Sequence, residues 1–520
     1  MSKDLIIGLD AGTSVIKAVA FSLDGKQVES VGVPNKVDYL DDGGAEQDIH
    51  RTWSDAARAL RALGDKIPHL PDRTAALAIT GQGDGTWLID AQGEPVAPAW
   101  LWLDARSAPI IESWRESEIG PKLQAITGTA INPAVQSGQI TWLKQHQPDL
   151  IAQAATAFHC KDWLYFKATG ERATDPSEGI FTYGNYRTRA YDARVLELLG
   201  LQDCAHLRPE IIDGSTHHAP LTSEAARAVG LHQGTPVVLG PLDVIATALG
   251  AGAYEPGQAV GMSILGSTGM HIRLFHDVDD VVISEEQVGY VMPFVVPGTW
   301  GGFQSHMAAT LNIDWLVDFA AASAEMIGVA DIDRKKVLLT LDQQAHDARP
   351  GTLLFHPFIS ENGERGPFVN PKARAQFLGL STRSRPGDLM RAIYEGIAFA
   401  SRDCYRALDH QPAEIRLAGG AANSALCRKI LGAAVNAPIR IVERAEAGAA
   451  GAALTSAVSI GAYDTIADGL QDWVSPYLGD LEPIDQDLAA VYDGLFPAYR
   501  DSYLNMASVW QTLYHVVRGS

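Results

Sequence analysis

Apolar runs of two different periods alternate along the 520 residues. Leu5-Ile6-Ile7 and Val15 to Phe21 are strand-like runs on either side of a polar turn, Asp10-Ala11-Gly12-Thr13-Ser14. That pattern predicts a β-hairpin with a small-residue tip. Residues 48–66 then set Trp53, Ala56, Ala57, Leu60 and Leu63 at helical spacing. A short apolar run from Ala75 to Ile79 follows and ends in TGQGDGTWLID, residues 80–90. Residues 236–252 read as a strand, a turn carrying Asp243 and a helix of small residues. After the Gly/Pro-rich AGAYEPGQ (251–258), residues 259–275 repeat the opening pattern, with Gly266-Ser267-Thr268-Gly269 at the tip. Strand–helix–strand order with polar tips implies an α/β protein. Two halves that each open on a glycine/hydroxyl hairpin imply a duplicated fold with a cleft between them. The boundary is placed near residue 252, giving units 1–252 and 253–520. The second half predicts a helix from Asp388 to about Leu408, then a strand and glycine turn over 414–432. A small-residue helix over 446–463 and an amphipathic packing helix over 485–516 complete it.

Composition narrows the partners. A chain of this length holds two large domains, and 46% hydrophobic residues with a mean hydropathy of −0.02 fit a soluble globular protein. The formal charge of −21 argues against nucleic acid or an anionic membrane as the main partner. Cys160, Cys204, Cys404 and Cys427 form no CxxC or Cys/His cluster and read as reduced, buried thiols. No apolar run approaches the roughly 20 residues of a membrane span, and no basic leader precedes the first strand. The expected location is cytoplasmic. An acidic protein that binds an anion needs glycine turns, local dipoles and a cation. Gly12 lets backbone approach a ligand, and the N–H groups and hydroxyls of Thr13 and Ser14 can face an anion. Asp10 would repel a phosphate unless a metal ion lay between them, so a magnesium–nucleotide is the natural occupant. An ordinary hairpin with a capping Asp is the alternative.

Further segments carry a family resemblance. AQFLGLSTRSRPGDLMRAIYE (375–395) satisfies the second signature of the FGGY carbohydrate kinases at every specified position. GERGPFVNPKAR (363–374) and KDWLYFKATGERATDPSEG (161–179) are similar to two further family segments, and the resemblance spans nearly the whole chain. The first signature departs: in INPAVQSGQITWLKQH (131–146) Gln139 stands where most members carry Lys, and Ala134 replaces an aromatic of the glycerol kinases. The resemblance implies two ribonuclease H-like domains of the actin/hexokinase-type ATPase fold, with ATP and Mg2+ in the interdomain cleft.

Roles follow from resemblance and residue chemistry together. Phosphoryl transfer needs nucleotide, metal and acceptor hydroxyl held in line and one proton accepted. Asp10 is the expected metal ligand; Gly12, Thr13 and Ser14 hold phosphates, and Gly266, Ser267, Thr268 and Gly269 form a second phosphate loop. Lys17 adds charge there or faces solvent. Asp243 matches the family's catalytic Asp and is the expected general base; a helix N-cap is its bland alternative. Its neighbour Val244 stands where glycerol kinases carry Gln and xylulose kinases Asn. Gly419, Gly420 and Asn423 resemble the adenosine site, with Asn423 equally suited to cap a helix; Glu446 and Gly448 are assigned to packing near that site. Gln82, Gly83 and Asp84 occupy the family's acceptor triplet, while Trp102, Asp104 and Arg106 match its Trp-x-Asp-x-Arg element, in which Arg106 more often pairs with Asp104 than touches substrate. His159, His217, His218 and His271 show no metal-ligand spacing. TGQGDGTWLIDAQGEPV, HCKDWLY, YGNYRTRAYD and ILGSTGMHIR look most like the members that phosphorylate erythritol. The expected partner is therefore a small polyol, erythritol first, with L-xylulose, D-xylulose, ribulose or glycerol as alternatives, and at most a second copy of the chain as a homodimer. A sugar sensor without catalysis is disfavoured by the presence of Asp10 and Asp243. An actin- or chaperone-type assembly ATPase is disfavoured by residues 375–395.

Overall fold

The computed structural model describes residues 3–518. The opening hairpin is β1 (Leu5–Ala11) and β2 (Val15–Ser22), followed by β3 (Gln27–Pro34). Nearly every residue of β1 is buried, which is why it reads as a continuous apolar run and not an alternating one. α1 (Ile49–Lys66) starts where the Asp48 side chain accepts the Arg51 N–H, and its buried stripe packs on β2 and β3. Then come β4 (Thr74–Gly81), α2 (Cys160–Thr169), α3 (Pro176–Tyr183), β5 (Ala219–Pro220), β6 (Pro236–Leu239) and α4 (Asp243–Gly250). The sheet order is β5-β6-β4-β1-β2-β3, with β1, β4 and β6 parallel and the hairpin strands antiparallel.

The second half builds the same sheet again. β7 (Val260–Leu265) and β8 (Gly269–Phe275) form its hairpin, followed by β9 (Tyr290–Pro293) and β10 (Trp300–His306). Helices α5 (Thr310–Met326), α6 (Arg334–Asp347) and α7 (Pro386–Ala407) precede β11 (Glu414–Ala418), α8 (Ala425–Val435) and β12 (Ile439–Val442). The chain ends with α9 (Ala447–Ser459), α10 (Ile466–Trp473), β13 (Leu478–Glu482), α11 (Gln486–Leu504) and α12 (Ala507–Arg518). The strand order, β9-β10-β8-β7-β11-β12-β13, repeats that of the first sheet strand for strand and adds β9 at one edge. The duplication expected from the two hairpins is thus a duplicated topology.

The chain does not stay on its own side of the boundary. α9 packs back onto β1, β4 and α4 of the first half. Its small residues have a reason: a Cβ on Gly451 would lie 1.9 Å from the Ala246 carbonyl oxygen, and one on Gly250 2.0 Å from that of Ala447. The α4 and α9 backbones therefore touch, which only a small-residue crossing allows. Trp473 of α10 packs on Phe21 of β2, ring centroids 5.5 Å apart. The C-terminal segment differs from expectation: the amphipathic run breaks after Leu504 into two helices, the first carrying Pro497. Among the described residues no helix is long and apolar enough to cross a membrane, and all four cysteines are free and buried.

Candidate active site

Three carboxylates from three elements of the first half mark the site. Asp10 lies at the end of β1, Asp84 in the loop after β4, and Asp243 is the first residue of α4. Burial pushes Asp10 up to about 6, against the pull of the Lys17 ammonium. It pushes Asp84 up to about 7, against Arg365. Asp243 is raised to about 7, first by burial and then by the negative charge of Asp10. Asp10 and Asp84, raised by burial, and Asp243, raised by burial and by both of them, form a group of hard oxygen donors.

The first turn differs in detail from the sequence reading. The Thr13 hydroxyl does not point free at an anion: it donates to Gln82 Oε1 at 2.8 Å and accepts the Trp102 indole N–H at 2.9 Å. Gln82 Nε2 in turn donates to Gln47 Oε1, and Gln47 Nε2 to the Thr13 carbonyl. Thr13, Gln82 and Trp102 therefore form one network joining the turn at 10–14 to the triplet at 82–84, and Gln47 closes it. Ser14 remains exposed. Lys17 pairs with Glu446 at 2.8 Å, which ties β2 to the start of α9. Glu446 and Gly448 thus pack at the first turn. A Cβ on Gly448 would lie 2.7 Å from Asp10 Oδ2 and 3.2 Å from Thr247 Oγ1, so α9 leaves just enough room for the carboxylate.

Around the triplet, Gly83 is required because a Cβ there would meet Leu242 Cδ1 at 1.9 Å. Asp84 adopts a left-handed backbone with φ 55°, a conformation that costs an ordinary L-residue roughly 1 kcal/mol and suits Asp better than most. Two hydrogen bonds hold it: the Asp84 N–H to Glu178 Oε1 at 3.1 Å and the Gly85 N–H to the Ala134 carbonyl at 3.1 Å. Asp84 Oδ1 and Arg365 Nε are both buried without a hydrogen-bond partner. Tyr290 of β9 reaches the same region, where Asn132 Nδ2 approaches its hydroxyl at 3.4 Å and its ring packs 6.0 Å from Phe181. Arg365, Tyr290 and Asn132 were not singled out from sequence. The segment 363–374 was recognised, but nothing local says that its arginine crosses to the first half.

Asp104 and Arg106 do not present free groups to an acceptor. The Asp104 carboxylate accepts the Ala45 N–H and the Arg106 guanidinium, which also binds Glu46 and stacks 3.5 Å from the Trp100 ring. They shape the wall that carries Trp102, which is 38% exposed. The Gln139 departure is equally structural: its amide accepts from Thr86 Oγ1 at 2.8 Å and donates to the Leu101 carbonyl at 3.0 Å, fully buried. The helix N-cap reading of Asp243 fails because Leu242 holds the cap position.

In the second half, the Ser267 and Thr268 side chains are exposed at the β7–β8 tip, and a Cβ on Gly266 would meet open space. Gly419, at φ 94°, lies against this loop: a Cβ there would be 2.5 Å from the Leu265 carbonyl oxygen. Beside it is a cavity of about 340 Å3 lined by Thr310, Ile313, Leu338, Leu339, Gly420 and Asn423. Asn423 is not the cap of α8; Ser424 is, accepting the Cys427 N–H. Asn423 is left exposed at the cavity mouth. His217 faces Glu171, His218 meets Ser459, and His271 stacks on His306. His159 lies against Asp162 and Glu178, a grouping that its spacing in the chain did not reveal.

Two repeated sheets, a glycine hairpin from each and three neighbouring carboxylates are the arrangement expected of a phosphotransferase, which holds nucleotide, metal and acceptor together. The chain matches the models of the FGGY family of carbohydrate kinases, the N-terminal domain over residues 5–250 and the C-terminal domain over 261–460, and it belongs to that family. It is 48% identical over 514 residues to the erythritol kinase of Brucella abortus (strain 2308), covering 98% of each chain. It is 30% identical over 431 residues to the xylulose kinase of Escherichia coli (strain K12), covering 82% of this chain and 84% of that one. Among solved structures, gluconate kinase from Lactobacillus acidophilus superposes with a TM-score of 0.88 at 21% identity, covering 98% of this chain and 99% of that one. Plasmodium falciparum glycerol kinase with ADP gives 0.82 at 18% identity, covering 97% and 98%. These likenesses establish the fold, and the sequence matches establish a carbohydrate kinase.

Proposed function

We propose that the protein phosphorylates a terminal hydroxyl of erythritol with ATP, using Asp243 as general base. The observation that carries the choice of acceptor is the 48% identity to an erythritol kinase over 98% of both chains. The cleft chemistry agrees. A tetritol offers only hydroxyls, and carboxylates suit it because each oxygen accepts hydroxyl hydrogens. Asp84 and Asp243 supply two carboxylates, Arg365 a cation between them and the second half, and Trp102 an apolar face for the carbon edge.

The division of labour runs along the chain. Units 1–252 and 253–520 meet at the cleft, the first supplying acceptor site and base, the second most of the nucleotide site. Gly419, Gly420 and Asn423 admit adenine to the cavity beside α5 and α6. Gly266 to Gly269 face the phosphates with backbone and the Ser267 and Thr268 hydroxyls. Gly12, Thr13 and Ser14 close from the other side through their N–H groups, because the Thr13 hydroxyl is already engaged. Asp10, with its raised proton affinity and hard oxygen donors, fits Mg2+. When bound there, the ion would neutralise the charge shared by phosphates and carboxylates. Asp243, raised to about 7, is matched to accept the proton of the attacking hydroxyl near neutral pH. Closure of the halves would exclude water as a competing acceptor. The four buried thiols fit a reducing compartment, the cytoplasm.

The test is ATP turnover with erythritol, glycerol, D-xylulose, L-xylulose and L-ribulose. Erythritol gives the highest kcat/KM if the assignment holds. A ketopentose in first place would favour the second reading, which the 30% identity to a xylulose kinase keeps open.

A further inference from the structure

Beneath Gln82-Gly83-Asp84 lies a sealed group of ionisable side chains that phosphoryl transfer does not itself use. His159, Lys161 and Asp162 stand at the start of α2; Asp175, Ser177 and Glu178 stand at the start of α3. All six are buried. Lys161 Nζ lies 2.5 Å from Asp162 Oδ1 and 2.8 Å from Asp175 Oδ1. His159 Nδ1 lies 3.2 Å from Asp162 Oδ2 and 3.3 Å from Glu178 Oε2. The two ends of this chain grip the backbone beside the two acceptor-side carboxylates. Glu178 Oε1 accepts the Asp84 N–H at 3.1 Å. Ser177 Oγ donates to Asp175 Oδ2 at 2.5 Å and accepts the N–H of Leu242, the residue before Asp243, at 3.0 Å.

We infer that Glu178, oriented by His159, is a positioning residue that sets Asp84 against Asp243 and so governs how tightly the polyol is held. Asp84 needs such a support because its backbone is left-handed at φ 55° and one of its oxygens has no other anchor. Burying ionisable groups is unfavourable unless each is paired: Lys161, Asp162 and Asp175 pair with one another, and Glu178 Oε2, which has no hydrogen-bond partner, has His159 Nδ1 beside it at 3.3 Å. Against burial, Asp162 and Asp175 shift Lys161 up and Glu178 and Asp162 shift His159 up, while burial raises Glu178 itself to about 8. A divalent cation is the rival occupant, since ligand atoms of His159, Asp162 and Glu178 all lie within 4.8 Å of one another. Against it, Asp162 Oδ2 already accepts the His159 backbone N–H at 3.1 Å and Asp162 Oδ1 the Lys161 ammonium.

The inference rests on Asp84 as an acceptor contact, so the experiment separates the two. Steady-state kinetics are compared for Glu178→Ala, Glu178→Asp, Glu178→Gln, Asp84→Asn and the Asp84→Asn/Glu178→Ala pair in the full chain. Glu178→Ala and Glu178→Asp, which withdraw the oxygen from the Asp84 N–H, raise the erythritol KM by roughly tenfold while kcat and the ATP KM stay within about threefold. Glu178→Gln keeps a carbonyl oxygen for that N–H and returns the KM to within about threefold of the parent. The paired variant is no worse than Asp84→Asn alone, because Glu178 acts through Asp84. If Glu178→Ala does not fold, Glu178→Asp and Glu178→Gln decide the matter. A fall in kcat without a KM change, failure of Glu178→Gln to restore, or additive effects in the pair would overturn the inference. So would one equivalent of bound divalent metal that Glu178→Gln loses. An Asp84→Asn variant with unchanged erythritol KM removes the acceptor reading itself; a raised KM there with a silent Glu178→Asp removes only the role of Glu178.

Discussion

The β1–β2 and β7–β8 hairpins occupy equivalent places in two sheets of one strand order, yet their turns are chemically opposite. The first carries a buried carboxylate, Asp10, has α9 pressed against it through Gly448, and has its threonine hydroxyl engaged by Gln82 and Trp102. The second carries no carboxylate, leaves Ser267 and Thr268 exposed, and has open space beside Gly266. Duplication supplies two identical frames for holding backbone near an anion. What differs is the surroundings: crowding and negative charge at the first, openness and hydroxyls at the second. Under the proposed function the first turn is the one chemically suited to a cation and the second to phosphate oxygens.

If that contrast is functional, substitutions should fall unequally on the two turns. The largest effect belongs to Asp10→Asn, which removes the first turn's charge. Turnover falls by about two orders of magnitude or more, and raising Mg2+ restores only part of it, as read by a coupled ADP assay. Next comes a matched pair of alanines. Gly448→Ala puts a Cβ 2.7 Å from Asp10 Oδ2 and forces the carboxylate aside, whereas Gly266→Ala enters open space. The first lowers kcat by roughly tenfold and the second by less than about threefold; equal effects would dissolve the comparison. The smallest effect is on stability. Asp10, Asp84 and Asp243 sit at about 6, 7 and 7 in the folded protein against an ordinary 3.8. Their favourable contribution is complete below that ordinary value and is lost as pH rises through the folded values, because the buried site prefers the protonated form. The melting temperature of the nucleotide-free protein therefore falls as pH rises from about 5 to about 8, and Asp243→Asn flattens the fall. A profile rising with pH over that interval would show that these carboxylates are better solvated than their burial implies.

Much of the frame was legible because its signals are local. Apolar runs broken by Asp-Ala-Gly-Thr-Ser and Gly-Ser-Thr-Gly mark the two hairpins, and Gly240-Pro241 before Asp243 marks a strand-to-helix turn. The remainder lay in contacts between distant positions. Gly448 against Asp10, Lys17 against Glu446, and Glu178 against the Asp84 N–H join residues separated by tens to hundreds of positions, and no periodicity encodes them. One signal was present and unused: two helices rich in Ala and Gly, at 243–250 and 447–459, are what a backbone-to-backbone crossing requires. Pairing them would have placed Gly448 beside the first turn. Asp104 and Arg106 show a local pair that was legible: two residues apart, their charges satisfy each other as expected.

In the proposed function Asp243 takes the proton from a polyol hydroxyl in this cleft. It is tested most directly by measuring kcat for erythritol phosphorylation in Asp243→Asn alongside calorimetric affinities for ATP and erythritol. The expected result is a fall in kcat of about two orders of magnitude or more with both affinities kept within roughly threefold. Turnover equal to that of the parent, with both ligands still bound, would contradict it.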